Sequence, residues 1–304
     1  MDMKAGFIGL GIMGSPMARN LLDAGVELLV NDTDRDAVER LVAHGAQAGS
    51  NDQIGASCEV VFLCVPNGTI SQDILFGDGG AADSMSPGGI VCDFSSVSPV
   101  ESKACFDRLA ERGIAFVDAP VSGGEPGAIA GTLAIMCGGD QPAFDALQPY
   151  FAIVGASALL VGPSGSGSVT KLANQLIVNG TIALVSEAMV LATKAGADPQ
   201  KVYEAIRGGL AGSAVLDAKV PMMLARDFKP GGPLRINHKD IRNVIDTAHA
   251  IDAPSPFAAQ LFEVLQALKV SGHMGDDHGG IVQYFEALSG VTVQPAAASA
   301  AASK

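Results

Sequence analysis

Residues 4–32, KAGFIGLGIMGSPMARNLLDAGVELLVND, decide the fold of the first half of the chain. A short apolar run leads into a glycine-rich turn, a helical segment follows, and a second apolar run ends in the acidic Asp32. The turn has the spacing GxGxxG, which means little by itself in a chain with 37 glycines. Between a strand and a helix, and followed by a strand that ends in an acid, the spacing is typical of a dinucleotide-binding βαβ unit.

Each glycine of this turn has a physical role. Gly9 permits the tight turn, Gly11 lets the backbone approach a pyrophosphate, and Gly14 lets helix and strand pack closely. The helix N-terminus offers N–H groups and a partial positive charge to the phosphates. The predicted cofactor-binding residues of this unit are Gly9, Gly11, Ile12, Met13, Gly14, Asn31 and Asp32.

The end of the second strand bears on the choice of cofactor. The carboxylate of Asp32 can accept a hydrogen bond from a ribose 2′-hydroxyl and would repel a 2′-phosphate. Position 33 is threonine, and the nearest arginine is Arg35. The sequence therefore favours NAD(H) and leaves NADP(H) open.

Apolar runs alternate with helical segments up to about residue 162, which predicts an α/β domain with a parallel sheet. The further predicted strands are 60–66, 88–96, 114–120, 132–139 and 158–162, with a helix over 98–112. Ligands of open parallel sheets bind beyond the carboxyl ends of the strands. We therefore expect four residues that follow strands to lie around the cofactor: Val65, Pro66, Asn67 and Ser96.

The loop after the strand at 114–120 reads VSGGEPG. Consecutive N–H groups at Ser122, Gly123 and Gly124 can form a concave nest that binds a carboxylate. An ordinary flexible loop would have the same composition, so the sequence alone leaves both interpretations open.

Residues 163–195, PSGSGSVTKLANQLIVNGTIALVSEAMVLATKA, predict one long helix after a glycine and serine lead-in. At about 1.5 Å per residue it would be roughly 45 Å long, enough to belong to two domains. Lys171, Asn174 and Gln175 share one face of this helix. A desolvated lysine among amides is costly without a purpose, which favours a catalytic role. The alternative is a lysine that snorkels at a seam between domains.

Beyond this helix only helical patterns follow, so the second domain is predicted to be all-α. The predicted helices cover 198–209, 213–228, 236–251, 255–272 and 276–290, and His238-Lys239-Asp240 is expected to open the third of them. The predicted organisation is a Rossmann NAD(P)-binding domain over 1–163, an all-α substrate and oligomerisation domain over 164–292, and a disordered tail over 293–304, with the long helix joining the two domains.

The composition and net charge of the chain argue against some classes of binding partner. The chain has 304 residues, is 48% hydrophobic and carries a net charge of −13, which argues against nucleic acid or an anionic membrane as a partner.

Five cysteines without a CxxC pair fit a reducing cytoplasm. No apolar run is long enough to predict a membrane-spanning helix, and the histidines and aspartates of 273–278 are too few to predict a metal. Several apolar helices in the second domain predict a homo-oligomer, a dimer or a tetramer.

The chain resembles the β-hydroxyacid dehydrogenase family in five segments that run in family order through both domains. These are GFIGLGIMGSPMARNLL (6–22), DFSSVSP (93–99), DAPVSGGEPGAIAGTL (118–133), GSGSVTKLANQLIV (165–178) and HKD (238–240). Residues 118–133 and 192–219 look most like the members that reduce tartronate semialdehyde. The resemblance implies reduction of tartronate semialdehyde to D-glycerate with NAD(P)H, on a small substrate that carries a carboxylate.

The resemblance also implies residue roles. Lys171 matches the family's catalytic lysine, a general acid and base, and Asn174 matches the asparagine that helps to hold the reacting oxygen. Ser122, Gly123 and Gly124 match the loop that binds the substrate carboxylate, and Gln175 is expected to contact substrate. Ser96 and Lys239 match positions on the nicotinamide side of the site.

Two positions depart from patterns within the family. Gln175 stands where isobutyrate-type members often have a second asparagine, and Thr33 stands where related reductases often have arginine. The alternatives left open are a 3-hydroxyisobutyrate or other 3-hydroxyacid dehydrogenase, and a catalytically silent dinucleotide-binding scaffold.

Overall fold

A computed structural model describes residues 3–295 of the chain. The predicted disordered tail lies outside the described residues except for 293–295. The described residues form two compact units that meet between Lys171 and Leu172 along the chain. The division falls inside the long helix, whereas the sequence analysis placed it at residue 163.

The first unit contains one mixed, mainly parallel sheet, which in the described residues has nine strands. The strands are β1 (Lys4–Ile8), β2 (Glu27–Asn31), β3 (Gln47–Ala48), β4 (Val60–Leu63), β5 (Ile90–Asp93), β6 (Ala115–Asp118), β7 (Val121–Ser122), β8 (Leu133–Gly138) and β9 (Gly155–Gly162). Their order is β3-β2-β1-β4-β5-β6-β8-β7, and β9 pairs with β8. The first six strands are parallel neighbours, so the carboxyl ends of β1, β2, β4 and β5 share one edge.

Two predicted strands, β8 and β9, run opposite to the first six. Strand β8 is antiparallel to β6 and β7, because the chain turns back within the glycine-rich segment that follows β6, and β9 is parallel to β8. Both had been predicted as part of a parallel sheet.

In the part of this unit that the structure describes, eight helices connect or flank these strands. They are α1 (Gly14–Asp23), α2 (Arg35–Val42), α3 (Asn51–Ser57), α4 (Gly68–Phe76), α5 (Ala81–Ser84), α6 (Pro99–Ala110), α7 (Gly124–Ala130) and α8 (Gln141–Val154). Only α1 and α6 were predicted from sequence. Helices α3 to α5 are short, and α8 contains Pro149, so the helical periodicity of these segments is weak.

The central strands β1, β2, β4, β5 and β6 are buried on both faces, as expected where helices cover both sides of a sheet. Phe7 and Phe62 point to one face, and the alternate residues Ile8 and Leu63 point to the other. On the first face the ring of Phe62 stacks on Phe94 with centroids 5.4 Å apart. The two apolar layers hold the strand ends, and therefore the loops beyond them, in fixed positions.

The long helix α9 (Ser166–Lys194) begins in the first unit and continues into the second. The other helices of the second unit are α10 (Pro199–Ile206), α11 (Ala214–Ala225), α12 (Leu234–Ala250), α13 (Pro256–Val270) and α14 (Val282–Ser289), with a 3-10 turn at His278–Ile281. Among the described residues of this unit no strand forms, and its core is built from residues such as Ile182, Met223 and Leu265. The all-α second domain is confirmed.

Helix α9 is long and apolar enough to cross a membrane. Core helices of soluble proteins can meet the same two criteria. Only 28% of the most apolar 18-residue stretch of this helix is buried within the chain. No such helix was predicted from the sequence, because the chain contains no uninterrupted run of eighteen apolar residues. Its exposed apolar residues include Ile177, Leu184 and Leu191, which recur every seven residues.

Asp277, in the second unit, is a buried carboxylate that ties three segments together. It accepts hydrogen bonds from Lys219 Nζ at 2.8 Å, from the Gly279 N–H at 2.9 Å, and from the N–H groups of Gly231 and Gly232 at 3.2 Å. Burial alone would raise the pKa of Asp277, but these hydrogen bonds and the nearby positive charges hold it below its ordinary value. In residues 3–295 no three His, Cys, Asp or Glu side chains are arranged to hold a metal ion.

Candidate active site

The glycine turn between β1 and α1 has the geometry that its spacing predicts. A Cβ on Gly9, whose φ is +99°, would lie 2.3 Å from the carbonyl oxygen of Cys64, and a Cβ on Gly14 would lie 1.9 Å from the carbonyl oxygen of Gly9. By contrast, a Cβ on Gly11 would meet nothing within 4 Å. Gly9 and Gly14 are therefore required by close packing, and Gly11 leaves its backbone open to a ligand.

The N-terminus of α1 is the second part of this cradle. Met13 is its N-cap residue and provides no side-chain hydrogen bond, and no acidic residue lies in the first turn. Ile12 is 47% exposed at the tip of the turn. The positive end of the helix dipole is thus not neutralised by a side chain, which suits a pyrophosphate.

Asp32, directly after β2, is held against the glycine turn. Its carboxylate accepts hydrogen bonds from the Leu10 N–H at 2.5 Å and from the Asp34 N–H at 2.8 Å. Each carboxylate oxygen has a second lone pair, so a ribose hydroxyl can also bind there. The neighbouring Asn31 donates from Nδ2 to Asn51 Oδ1 at 2.7 Å and so links β2 to the start of α3.

The residues after β4 and β5 are arranged by hydrogen bonds among themselves. The Val65 N–H donates to Ser95 Oγ at 2.8 Å, and Asn67 caps α4 by accepting from the Ile70 N–H at 3.0 Å. Pro66 lies between Val65 and Asn67, and Ser96 follows Ser95. The structure therefore places the predicted residues on two adjacent loops at one edge of the sheet.

Asp93 was not among the predicted site residues, but it organises these loops. It accepts from the Ser95 N–H at 2.8 Å and from Ser71 Oγ at 2.9 Å, and burial raises its pKa, against the effect of these bonds. The available signal was an acid at the end of an apolar strand, as at Asp32, but sequence alone does not show its burial.

The predicted carboxylate loop begins at β7 and turns through two residues with positive φ. Gly123 has φ +140° and Gly124 has φ +63°, and α7 begins at Gly124. A Cβ on Gly123 would lie 3.0 Å from the Leu133 side chain. A side chain at position 123 would therefore crowd Leu133, and both glycines have backbone conformations that other residues rarely adopt.

Lys171, in the second turn of α9, is half-buried next to this loop. Its Nζ donates a hydrogen bond to the carbonyl oxygen of Val121 at 2.8 Å. Val121 immediately precedes Ser122, so the amine lies beside the Ser122–Gly124 turn. The structure thus brings together two groups that are about 50 residues apart in sequence.

A buried carboxylate fixes the start of the helix that carries Lys171. Asp118, at the end of β6, accepts from the N–H groups of Gly165 and Ser168, both at 2.7 Å. Burial raises the pKa of Asp118 to about 6, and these hydrogen bonds oppose the rise. Asp118 was not among the predicted site residues, because the sequence does not show which groups its carboxylate contacts.

In the second unit, Asn174 and Gln175 of α9 lie near Lys239 and Asp240 of α12. Asn174 Nδ2 donates to Gln175 Oε1 at 3.0 Å, Gln175 Nε2 donates to Asp240 Oδ2 at 2.5 Å, and Lys239 Nζ lies 3.2 Å from Asp240 Oδ1. Asp240 is 1% exposed.

The predicted position of the HKD segment at the start of its helix was wrong. His238-Lys239-Asp240 does not open α12, which begins one turn earlier at Leu234. Pro233 is the residue before the helix, with an extended backbone, and the buried Leu234 anchors the first turn in the core. The earlier start places Asp240 on the buried face of the helix.

Comparisons with known proteins identify relatives over nearly the whole chain. The profile described as the NAD binding domain of 6-phosphogluconate dehydrogenase matches residues 4–162, and that described as NAD-binding of NADP-dependent 3-hydroxyisobutyrate dehydrogenase matches residues 165–285. The 2-hydroxy-3-oxopropionate reductase of Escherichia coli K12 is 39% identical over 94% of this chain and 98% of its own. The 2-(hydroxymethyl)glutarate dehydrogenase of Eubacterium barkeri is 35% identical over 96% and 98%. A solved structure of Mycobacterium tuberculosis 3-hydroxyisobutyrate dehydrogenase with L-serine has a TM-score of 0.86 at 27% identity, over 93% of this chain and 99% of that one.

The fold, the glycine turn and these matches define the class, an NAD(P)-dependent oxidoreductase that acts on CH–OH groups. Within that class, the chain belongs to the β-hydroxyacid dehydrogenase family. Helix α9 begins at the start of the segment that the 3-hydroxyisobutyrate dehydrogenase profile matches, so this long apolar helix is part of the matched family fold.

Proposed function

We propose that the chain reduces tartronate semialdehyde (2-hydroxy-3-oxopropionate) to D-glycerate with NAD(P)H. The observation that carries this proposal is the placement of Lys171 Nζ, 2.8 Å from the carbonyl oxygen of Val121 and beside the Ser122–Gly124 turn. An amine that transfers a proton, next to backbone N–H groups that bind a carboxylate, suits a small semialdehyde acid. The similarity to the 2-hydroxy-3-oxopropionate reductase of Escherichia coli favours a substrate that carries a hydroxyl group.

Lys171 is the general acid of this mechanism. When bound, the reduced nicotinamide supplies the hydride that the aldehyde carbon receives. Negative charge then develops on the carbonyl oxygen, and the Lys171 ammonium donates a proton to it, which leaves a neutral amine and a CH–OH group. In the reverse direction the amine removes the hydroxyl proton. Val121 holds Nζ by a hydrogen bond, which limits its motion.

Substrate orientation is assigned to two groups. The N–H groups of Ser122, Gly123 and Gly124 bind the substrate carboxylate, and Asn174, one turn after Lys171 on α9, holds the reacting oxygen. Fixing both ends of so small a substrate brings the aldehyde carbon to reacting distance. The residues that would hold the cofactor are those of the glycine turn with Asp32, the loops at Val65–Asn67 and Ser96, and Lys239.

NAD(H) is the favoured cofactor in this proposal. The Asp32 carboxylate lies at the edge of the glycine turn, where it accepts the Leu10 N–H, and Thr33 Oγ1 lies 3.4 Å from its other oxygen. A 2′-phosphate at this position would face a carboxylate, whereas a 2′-hydroxyl can donate to it.

Steady-state kinetics test the proposed reaction. With NADH, we expect kcat/KM for tartronate semialdehyde to exceed that for methylmalonate semialdehyde by at least about tenfold, because a pocket that binds a hydroxyl rejects the methyl analogue. NADPH should give a lower kcat/KM than NADH. A higher kcat/KM for the methyl analogue would instead indicate that the enzyme is a 3-hydroxyisobutyrate dehydrogenase. This activity is the second candidate, and the family match of residues 165–285 favours it. Cofactor binding without turnover of any semialdehyde would indicate a silent scaffold.

We also propose that the chain works in the cytoplasm as a homo-oligomer and that helix α9 packs against a second copy. Ile177, Leu184 and Leu191 are each about 70% exposed and lie on one face of the helix, because seven residues make nearly two turns. An exposed apolar stripe of this kind is typical of an interaction surface.

Replacing the central leucine of the stripe tests this assembly. We expect Leu184→Glu to lower the mass measured by light scattering after gel filtration from that of an oligomer to about 31 kDa, because it would bury a charge against its copy. Val270→Glu, at the exposed end of α13, is the matched control and should leave the mass unchanged. A monomeric wild type, or wild type recovered in the membrane fraction, would contradict the proposal.

A further inference from the structure

We propose that Gln175 and Asp240 are positioning residues that hold the Asn174 side-chain amide in a single orientation for the reaction. This inference rests on the proposed function, in which Asn174 meets the reacting oxygen. It replaces the expectation that Gln175 itself binds substrate with a role that acts through its neighbour.

The basis is a chain of three contacts within the second unit. Lys239 Nζ lies 3.2 Å from Asp240 Oδ1, Asp240 Oδ2 accepts from Gln175 Nε2 at 2.5 Å, and Gln175 Oε1 accepts from Asn174 Nδ2 at 3.0 Å. The two ends of the Gln175 amide are thus both engaged by protein groups. Its backbone is held too, since Asn179 Nδ2 donates to the Gln175 carbonyl oxygen at 2.8 Å.

The direction of this chain follows from the charge at its far end. A carboxylate paired with an ammonium group can only accept hydrogen bonds, so Gln175 must turn its NH2 group towards Asp240. Its oxygen then faces Asn174, which must in turn present its own NH2 group. If the Asn174 amide rotated by 180°, its Oδ1 would face Gln175 Oε1, and two acceptors would be in contact. One buried carboxylate therefore selects one of two otherwise similar amide orientations.

The orientation matters because the two ends of an amide have opposite polarity. A substrate oxygen that gains negative charge is stabilised by an N–H group and is repelled by a carbonyl lone pair. Asn174 lies one turn after Lys171 on the same face of α9, so an inverted amide would oppose the proton donor that precedes it. Without these three contacts, a fraction of the molecules would have the inverted Asn174 amide. The reaction rate would then fall, while cofactor binding stayed intact.

The test compares variants that remove or preserve the acceptor. Gln175→Met and Asp240→Leu have similar volumes and no hydrogen-bonding end groups, and we expect each to lower kcat about 10- to 100-fold, the range that small misplacements of catalytic groups produce. Asp240→Asn keeps an oxygen that can accept from Gln175 and should recover kcat to within about fivefold of wild type. The double variant Gln175→Met, Asp240→Leu should lose no more than the worse single variant, because both changes break the same chain.

A matched control is present in the same unit. Gln283 Nε2 donates to Asp276 Oδ2 at 2.8 Å, which is the same kind of contact on elements other than α9 and α12. Gln283→Met should therefore leave kcat unchanged. The dissociation constant of NADH, measured by fluorescence, should be equal in wild type, Gln175→Met and Gln283→Met, which leave the Lys239–Asp240 ion pair intact. Unchanged kcat in Gln175→Met, an equal loss in Asp240→Asn and Asp240→Leu, or losses that multiply in the double variant would overturn the proposal.

A second readout does not depend on turnover. In ¹H–¹⁵N spectra the Asn174 side-chain NH2 group should give one pair of resonances in wild type and in Asp240→Asn, and doubled or exchange-broadened resonances in Asp240→Leu. A wild type that reduces no semialdehyde would refute the proposed function, and the spectra would still test the amide orientation. Identical Asn174 resonances in all three proteins would overturn the orientation proposal.

Discussion

Lys171→Ala lowers kcat for semialdehyde reduction by about a thousandfold or more, with little change in NADH affinity. General acid catalysis by a positioned side chain contributes about 10²- to 10⁴-fold, and a truncated residue leaves no group to protonate the developing alkoxide. The hydrogen bond from Lys171 Nζ to the carbonyl oxygen of Val121 involves neither the glycine turn nor Asp32, so we expect the substitution to leave both unaffected. Stopped-flow reduction and NADH fluorescence titration measure the two quantities.

The control for this variant lies at the other end of the same helix. Lys194 Nζ also donates to a backbone carbonyl, that of Ser289, at 2.8 Å. Lys194→Ala therefore removes the same type of contact from α9 and should retain full kcat. If Lys171→Ala weakened NADH binding as much as it lowered kcat, or if both variants lost activity equally, Lys171 would be a structural residue.

Asp277→Ala lowers the free energy of unfolding by about 3–5 kcal/mol, the usual cost of removing one partner of a buried ion pair. Lys219, whose side chain is 14% exposed, is left without its carboxylate, and three backbone N–H groups at Gly231, Gly232 and Gly279 lose their acceptor. Urea unfolding followed by circular dichroism measures the change. Replacing both partners, as in Lys219→Met with Asp277→Leu, should cost less than Asp277→Ala alone.

The same residue gives a pH dependence with a defined sign. The pKa of Asp277 is lowered in the folded chain from its ordinary value of 3.8, so its contribution is present above about pH 4 and is lost as pH falls through the lower folded value. The difference in stability between wild type and Asp277→Asn should shrink as the pH falls below about 4. Asp246→Ala, at an exposed position of α12, should show no such difference. A difference that grew on acidification would refute the assignment.

The parts of the fold that sequence predicts well are those with a local physical cause. The glycine turn is predictable because Gly9 and Gly14 each lie where a Cβ would clash with backbone. Helix α9 was predicted over 163–195 and spans Ser166–Lys194, because nothing in its sequence breaks a helix. Short elements such as β3, with two residues, have too few positions to show a period.

The buried carboxylates were not predictable, because their partners lie far away in sequence. Asp118 contacts Gly165 and Ser168, and Gln175 contacts Asp240, over separations of 47 to 65 residues. An acid at the end of an apolar strand looks the same in sequence whether it binds a cofactor, as proposed for Asp32, or fixes a helix, as at Asp118. Only the fold distinguishes these roles.

The division of the chain within α9 also has a consequence for inheritance. Lys171 and Asn174 are one helical turn apart, yet the boundary between the compact units separates them. A gene crossover at this boundary would join two helix segments whose register must match to a single residue, since an inserted residue rotates everything after it by about 100°. Recombination between relatives should therefore preserve Ser166–Lys194 as a block and exchange sequence on either side of it.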